Sequence, residues 1–226
     1  MDIKNIKKEF PIFKQKINGK PLVYLDSANS SQKPKVVIDK ISNFYETEFS
    51  NVGRSVHTLA VKATNRFEAT RDKVQKYLNA KHREEIIFTK GATEAINLVA
   101  SSYGKKYINK GDEILITELE HHSNYVPWNF LRTEKGAIIK FAQVNEGGDV
   151  EVEEIKKLIT NKTKMIAITH ISNVTGAVLP ITKIVDLAKE KNIPVLIDGT
   201  QGAPHSKIDM QKIGCDFYAI SCHKMY

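Results

Sequence analysis

Lys164-Met165-Ile166-Ala167-Ile168-Thr169 and Pro194-Val195-Leu196-Ile197-Asp198 decide the fold. Each is a short apolar run that ends on a polar residue, and a helix-like stretch at about 181–191 lies between them. The same unit recurs outward in both directions. Runs at 85–89 (EIIFT), 113–117 (EILIT), 138–141 (IIKF) and 217–220 (FYAI) alternate with helix-like stretches at 92–103, 124–135 and 151–160. Strand-helix-strand repetition at this spacing predicts crossovers between parallel neighbours. The expected fold class is α/β, a mostly parallel central sheet flanked by helices.

Upstream of the alternation, residues 1–25 read as a short arm. It holds a polar helix start, Phe10-Pro11-Ile12-Phe13, and Asn18-Gly19 as a turn before Leu22-Val23-Tyr24-Leu25. Pro34 opens a helix to about Phe49 with Val37, Ile41, Phe44 and Tyr45 on one face. A second helix is expected over Thr58–Asn79. No repeat or low-complexity linker interrupts the chain.

Composition narrows the function classes. The 226 residues carry 34 Lys plus Arg against 26 Asp plus Glu, a formal charge of +8. Five of the basic residues are Arg and the other 29 are scattered Lys, with no basic tract and no RRM, KH or zinc-finger pattern. A solvated lysine-rich surface is expected, and no nucleic-acid partner. No apolar run reaches the roughly 18–20 residues that cross a bilayer, and Met1-Asp2-Ile3-Lys4-Asn5 lacks a secretory apolar segment, so neither membrane nor export is expected. Cys215 and Cys222 form no CxxC pair, which fits a reducing cytoplasm and no metal site, with Cys215 expected in the core.

In sheets of this kind ligands sit beyond the carboxyl ends of the strands. Gly91-Ala92-Thr93 follows the first run and opens a helix, where backbone N–H groups and the Thr93 hydroxyl suit an anion; a plain helix cap is the alternative. Asp198 closes an apolar strand. It is either a helix cap or a carboxylate that keeps a heteroaromatic ring nitrogen protonated, with Gln201 able to donate to an oxygen on the same ring. Lys224 lies beside Ser221 and His223, a setting that favours Schiff-base chemistry over a surface charge. His121 and His122 are adjacent, so they point apart and cannot easily share a metal; stacking on a flat ring suits one of them better.

Taken together, Glu120-His121-His122-Ser123-Asn124 with Val126-Pro127-Trp128, Thr169-His170-Ile171-Ser172-Asn173, Asp198-Gly199-Thr200-Gln201 and Ser221-Cys222-His223-Lys224-Met225-Tyr226 resemble the pyridoxal phosphate (PLP) signature of cysteine desulfurases. The likeness is to the SufS-type group within the class V aminotransferases of fold type I. Asp26-Ser27-Ala28 and Val56-His57-Thr58-Leu59 fit the same group.

That resemblance implies PLP on Lys224, which would also shuttle protons. Asp198 would pair with the pyridinium nitrogen, Gln201 with the phenolic oxygen, and His121 would stack on the ring. Thr93, Ser221, His223 and the backbone of Ala92 would hold the phosphate. Asn173 would sit near the ring and the substrate carboxylate, and Ala28 and Arg54 on the substrate side. The implied reaction converts L-cysteine to L-alanine and leaves a persulfide for a sulfur-acceptor protein of iron–sulfur cluster assembly, in a homodimer. Related lyases or transaminases of the same class, such as selenocysteine lyase or kynureninase, and a non-catalytic binding module are the alternatives.

The resemblance also divides the chain into 1–57, an arm and first helix, and 58–226, the PLP-binding large domain. Family members continue well beyond the position of Tyr226, so the large domain is expected to be incomplete, the small C-terminal domain absent, and the chain inactive alone. Neither Cys215 nor Cys222 matches the family's nucleophile. Gly53 stands where histidine is usual, Ala92 where threonine is common, and Cys222 where glycine is usual.

Overall fold

Five of the six apolar runs become strands in the structure, a computed structural model that describes residues Asp2–Tyr226. The chain divides into two compact units: Met1–Tyr77, His82–Ile86 and Cys222–Tyr226 in the first, and Leu78–Lys81 and Ile87–Ser221 in the second.

In the first unit, α1 (Ile3–Lys8) is capped by Asp2, whose Oδ1 accepts from the Lys4 and Asn5 amides at 3.0 and 3.2 Å. β1 (Lys16–Ile17) and β2 (Lys20–Pro21) form a hairpin across Asn18-Gly19, both at positive φ, as its tight turn demands. α2 (Lys35–Thr47) follows Pro34 as expected, yet it has no buried residue, and Ile41 and Tyr45 are 55% and 65% exposed. α3 (Thr58–Leu78) buries the small Ala60 and Ala63 near its start and Leu78 at its end. The last turn, Cys222–Lys224, is tied to residues 31–33. The His223 carbonyl accepts from the Ser31 amide at 3.1 Å and Lys33 Nζ at 2.9 Å, and the Tyr226 amide donates to Ser31 Oγ at 2.8 Å.

The second unit carries the sheet. α4 (Ala92–Val99) passes through a wide π turn at Ala100–Gly104 into α5 (Lys105–Tyr107). Then come β3 (Glu113–Thr117), α6 (Val126–Lys135), β4 (Ile138–Ala142), α7 (Val152–Leu158), β5 (Thr163–Thr169) and α8 (Ile181–Glu190). β6 (Val195–Asp198), α9 (Gly202–His205), α10 (Met210–Ile213) and β7 (Phe217–Ala219) complete it. The strands lie in the order β4-β3-β5-β6-β7, every pair parallel.

The run at 85–89 is corrected. Arg83–Glu85 makes a single 3₁₀ turn, and 86–89 is irregular chain with Ile87 68% exposed. An apolar run becomes a strand only where a neighbour supplies a ladder, and the five-stranded sheet does not include this segment.

Both faces of the sheet are covered, which is why its strands read as unbroken apolar runs. Ile114, Ile116, Met165, Ala167 and Leu196 pack with Ile96, Trp128 and Leu131 in one continuous core. Leu115, Ile166, Ile168 and Ile197 alternate with them along the strands and are fully buried, as are Ile155 of α7 and Ile184 of α8. Cys215 is only partly buried rather than a core residue; burial, with Asp216 beside it, pushes its thiol up to about 12. Cys222 is exposed. Among the described residues no helix is long and apolar enough to cross a membrane, and no cluster of His, Cys, Asp or Glu could hold a metal ion.

Ile166 is fully buried on the central strand, so Ile166→Ala is expected to cost about 2–5 kcal/mol. Urea unfolding would show this as a lowered midpoint at unchanged slope; a loss below about 1 kcal/mol would mean that the site collapses around the cavity.

Candidate active site

Parallel pairing lines up the carboxyl ends of the strands: Thr169 pairs with Asp198, and Asp198 with Ala219. Sheet order also places β4 on one side of β3 and β5 on the other, so the chains leaving β3 and β5 diverge. Such a divergence opens a crevice for ligand.

Asp198 ends β6 at 4% exposure. Its Oδ1 accepts from the Thr200 amide at 3.0 Å, an Asx turn, so it caps no helix; α9 starts later, at Gly202 behind Gln201. Within this unit no cationic side chain pairs with the carboxylate among the described residues. Gln201 is buried two residues beyond Gly199, and Thr200 Oγ1 is buried without a hydrogen bond among the described residues. Beneath this loop His170 Nδ1 and the Tyr218 hydroxyl are 2.9 Å apart. A Cβ on Gly199 would overlap the Tyr218 ring, and one on Gly202 would overlap the His170 imidazole. Burial holds the His170 pKa below its ordinary value.

The start of α4 is the second component. Gly91, at φ +152°, is its cap, and the Ala92 amide donates to the buried Ser221 Oγ at 2.9 Å. The first amides of the helix have no carbonyl one turn back to bond, which leaves the end suited to an anion. Thr93 Oγ1 meets Ser123 Oγ at 2.7 Å, and Ser123 in turn donates its amide to His121 Nδ1 at 3.1 Å. An Nδ1 that accepts this amide leaves Nε2 as the donor nitrogen of the exposed His121 ring. The His121 and His122 rings lie 6.2 Å apart at 72°, facing different ways. Asn173 is exposed on the loop after β5.

The second unit therefore links Ala92 to Ser221, and Thr93 to His121 through Ser123, at the edge where Asp198 and Gln201 lie. Ala28, Arg54, His223 and Lys224 belong to the first unit: Ala28 in a turn over Asp26–Ser30, Arg54 and His223 exposed, Lys224 partly buried.

A family model for class-V aminotransferases matches residues 23–226. The chain belongs to the class-V aminotransferase family. It is 48% identical over 225 residues to a probable cysteine desulfurase of Halalkalibacterium halodurans, covering 100% of this chain and 55% of that protein. It is 47% identical over 220 residues to a probable cysteine desulfurase of Synechocystis sp., covering 97% and 52%. Among solved structures, the cysteine desulfurase CsdA of Escherichia coli superposes with a TM-score of 0.86 at 35% identity, covering 99% of this chain and 55% of that one. An apo cysteine desulfurase of Thermococcus onnurineus superposes with a TM-score of 0.91 at 31% identity, covering 99% and 54%. The chain spans about half the length of the relatives it matches.

One group of this site was not legible as such in the sequence, although it opens the Glu120–Asn124 motif. The partly buried Glu120 accepts from Thr117 Oγ1 at 2.6 Å and the Thr169 amide at 2.9 Å on Oε1, and from Asn124 Nδ2 at 2.6 Å on Oε2. It bridges the ends of β3 and β5, where the crevice opens. Burial pushes its carboxyl up to about 7 against the pull of these donors, and the Asp198 carboxylate adds to the rise. A carboxyl raised in the folded state stabilises fully below its ordinary value of 4.5 and loses that contribution as pH climbs through about 7. Urea unfolding between those limits is expected to show this group's share of stability falling by up to about 3 kcal/mol as pH rises. Glu120→Gln should flatten that slope; an unchanged slope would contradict the assignment.

Proposed function

We propose that this chain forms the cofactor-binding part of a PLP-dependent cysteine desulfurase. The observation that carries the proposal is Asp198, a buried carboxylate with one backbone donor and no cationic partner within its unit. A buried anion of this kind calls for a charged donor, and a protonated pyridine nitrogen supplies one. Other features support the fit. Amides at the start of α4 and the Thr93 and Ser221 hydroxyls suit a phosphate, and the unpartnered Thr200 Oγ1 offers a polar group beside Asp198. The similarity to proteins named cysteine desulfurases points to the same chemistry.

In this proposal Lys224 holds the cofactor aldehyde covalently and moves protons to and from the substrate carbon. Asp198 keeps the ring nitrogen protonated, Gln201 donates to the ring oxygen, and His121 lies against the ring face. Thr93, Ser221, His223 and the Ala92 amide hold the phosphate, while Asn173, Arg54 and Ala28 face the substrate. Bound PLP supplies an electron sink for negative charge at the α-carbon. The substrate is L-cysteine. A thiolate would attack the substrate sulfur, forming the S–S bond of a persulfide as the C–S bond breaks. The electron pair of that bond would stay with the β-carbon, which takes a proton to give L-alanine. An acceptor protein of iron–sulfur assembly would then take the persulfide sulfur. A homodimer in the cytoplasm is the proposed setting.

Titrating the purified chain with PLP is expected to give a visible absorption band that borohydride fixes onto Lys224 and that Lys224→Ala lacks. Asp198→Asn should weaken retention and shift the band. A folded wild type without the band, or an equal band in Lys224→Ala, would sink the proposal.

A further inference from the structure

The turn that carries His121 and Ser123 is closed by side chains rather than by packing alone. Its far end is Asn124, fully buried, whose amide bonds the His121 carbonyl at 2.8 Å and whose Nδ2 reaches back to Glu120 Oε2. Its near end is Glu120 itself, fixed through Oε1 to Thr117 and to the Thr169 amide. We propose that Glu120 is a positioning residue: its carboxylate closes this turn and thereby sets His121 and the Thr93–Ser123 hydroxyl pair for the cofactor. The proposal rests on the PLP reading of the site.

Hydrogen-bond polarity makes the carboxylate specific. Trp128 Nε1 can only donate, and it donates to Asn124 Oδ1 at 3.1 Å. That fixes the orientation of the Asn124 amide, so its NH₂ group faces Glu120 Oε2, which must accept. The Thr169 amide likewise obliges Oε1 to accept. In Glu120→Gln the new side chain fails in both orientations, because its NH₂ group meets either the Asn124 NH₂ or the Thr169 N–H. Adding Asn124→Asp would repair the first clash. One oxygen of the new carboxylate would accept from the NH₂ group introduced at position 120 and the other from Trp128, and all four partners would again be satisfied.

The test compares wild type, Glu120→Gln and Glu120→Gln/Asn124→Asp in the full chain. Three readouts are followed: PLP retention, the emission of Trp128, the only tryptophan, and the His121 imidazole tautomer by nitrogen NMR. Leaving a buried donor unmatched should weaken PLP retention about tenfold or more in Glu120→Gln. It should also shift Trp128 emission and release His121 from the single Nε2–H tautomer. The double variant should restore PLP retention and the His121 tautomer; Trp128 emission, whose own acceptor changes at Asn124→Asp, is compared only between wild type and Glu120→Gln. Unchanged retention and tautomer in Glu120→Gln, with only the unfolding midpoint lowered, would reduce Glu120 to a structural residue and overturn the proposal. Failure of the double variant to restore the tautomer would overturn it as well. If Glu120→Gln does not fold, the double variant decides alone, since wild-type behaviour there requires the restored polarity. Should wild type bind no PLP, the cofactor reading falls, and the His121 tautomer and Trp128 emission still decide whether Glu120 sets the turn.

Discussion

The parallel register of β5, β6 and β7 is the constraint on which the rest depends. Once Thr169, Asp198 and Ala219 pair in line, every chain leaving the sheet leaves from one edge, and each must cross back over a face to re-enter. The crossovers cover both faces with helices, so the edge is the place where polar groups can gather without disturbing the core. Two carboxylates, Glu120 and Asp198, share it. Like charges in a low-dielectric setting raise each other's cost, and each is met by donors: three for Glu120, the Thr200 amide for Asp198.

Formal charge contributes little to this order. The +8 excess resides mainly in scattered lysines, and ion pairs such as Lys105–Glu134, with both side chains more than half exposed, are worth only tenths of a kcal/mol to about 1. Apolar burial does the holding, at about 1.5–3 kcal/mol for each large side chain removed from water. The exception is Glu113 at the amino end of β3, which takes Lys140 at 2.9 Å and hydroxyls from Thr160 and Thr163; despite burial these partners hold its carboxyl below the usual range.

The alternation of apolar runs was enough to read the α/β class, because a strand buried on both faces has no polar side to confuse it. The runs at 113–117, 138–141, 164–169, 194–198 and 217–220 fall on observed strands to within one residue at either end. The run at 85–89 looked the same and failed, since composition cannot say whether a neighbouring ladder exists. α2 shows the matching limit: its apolar face was visible, but nothing local states whether a face is covered. At the site, strand ends pointed to Asp198, Gln201, Thr93 and His121. Glu120 and the His170–Tyr218 pair stayed hidden because their importance lies in who donates to whom across 48 or 49 residues of chain, which only the fold reveals.

The Asp198 loop and the rings beneath it are packed so closely that Gly199 and Gly202 have no room for even a methyl group against Tyr218 and His170. These four positions therefore cannot be substituted independently without overlap. A side chain can enter at 199 only after the ring at 218 has shrunk, and at 202 only after 170 has changed. Each intermediate would lose either the loop's path or the support under it. The two glycines are thus sterically coupled to the rings beneath them, and a side chain at either would demand a matching change at 218 or 170.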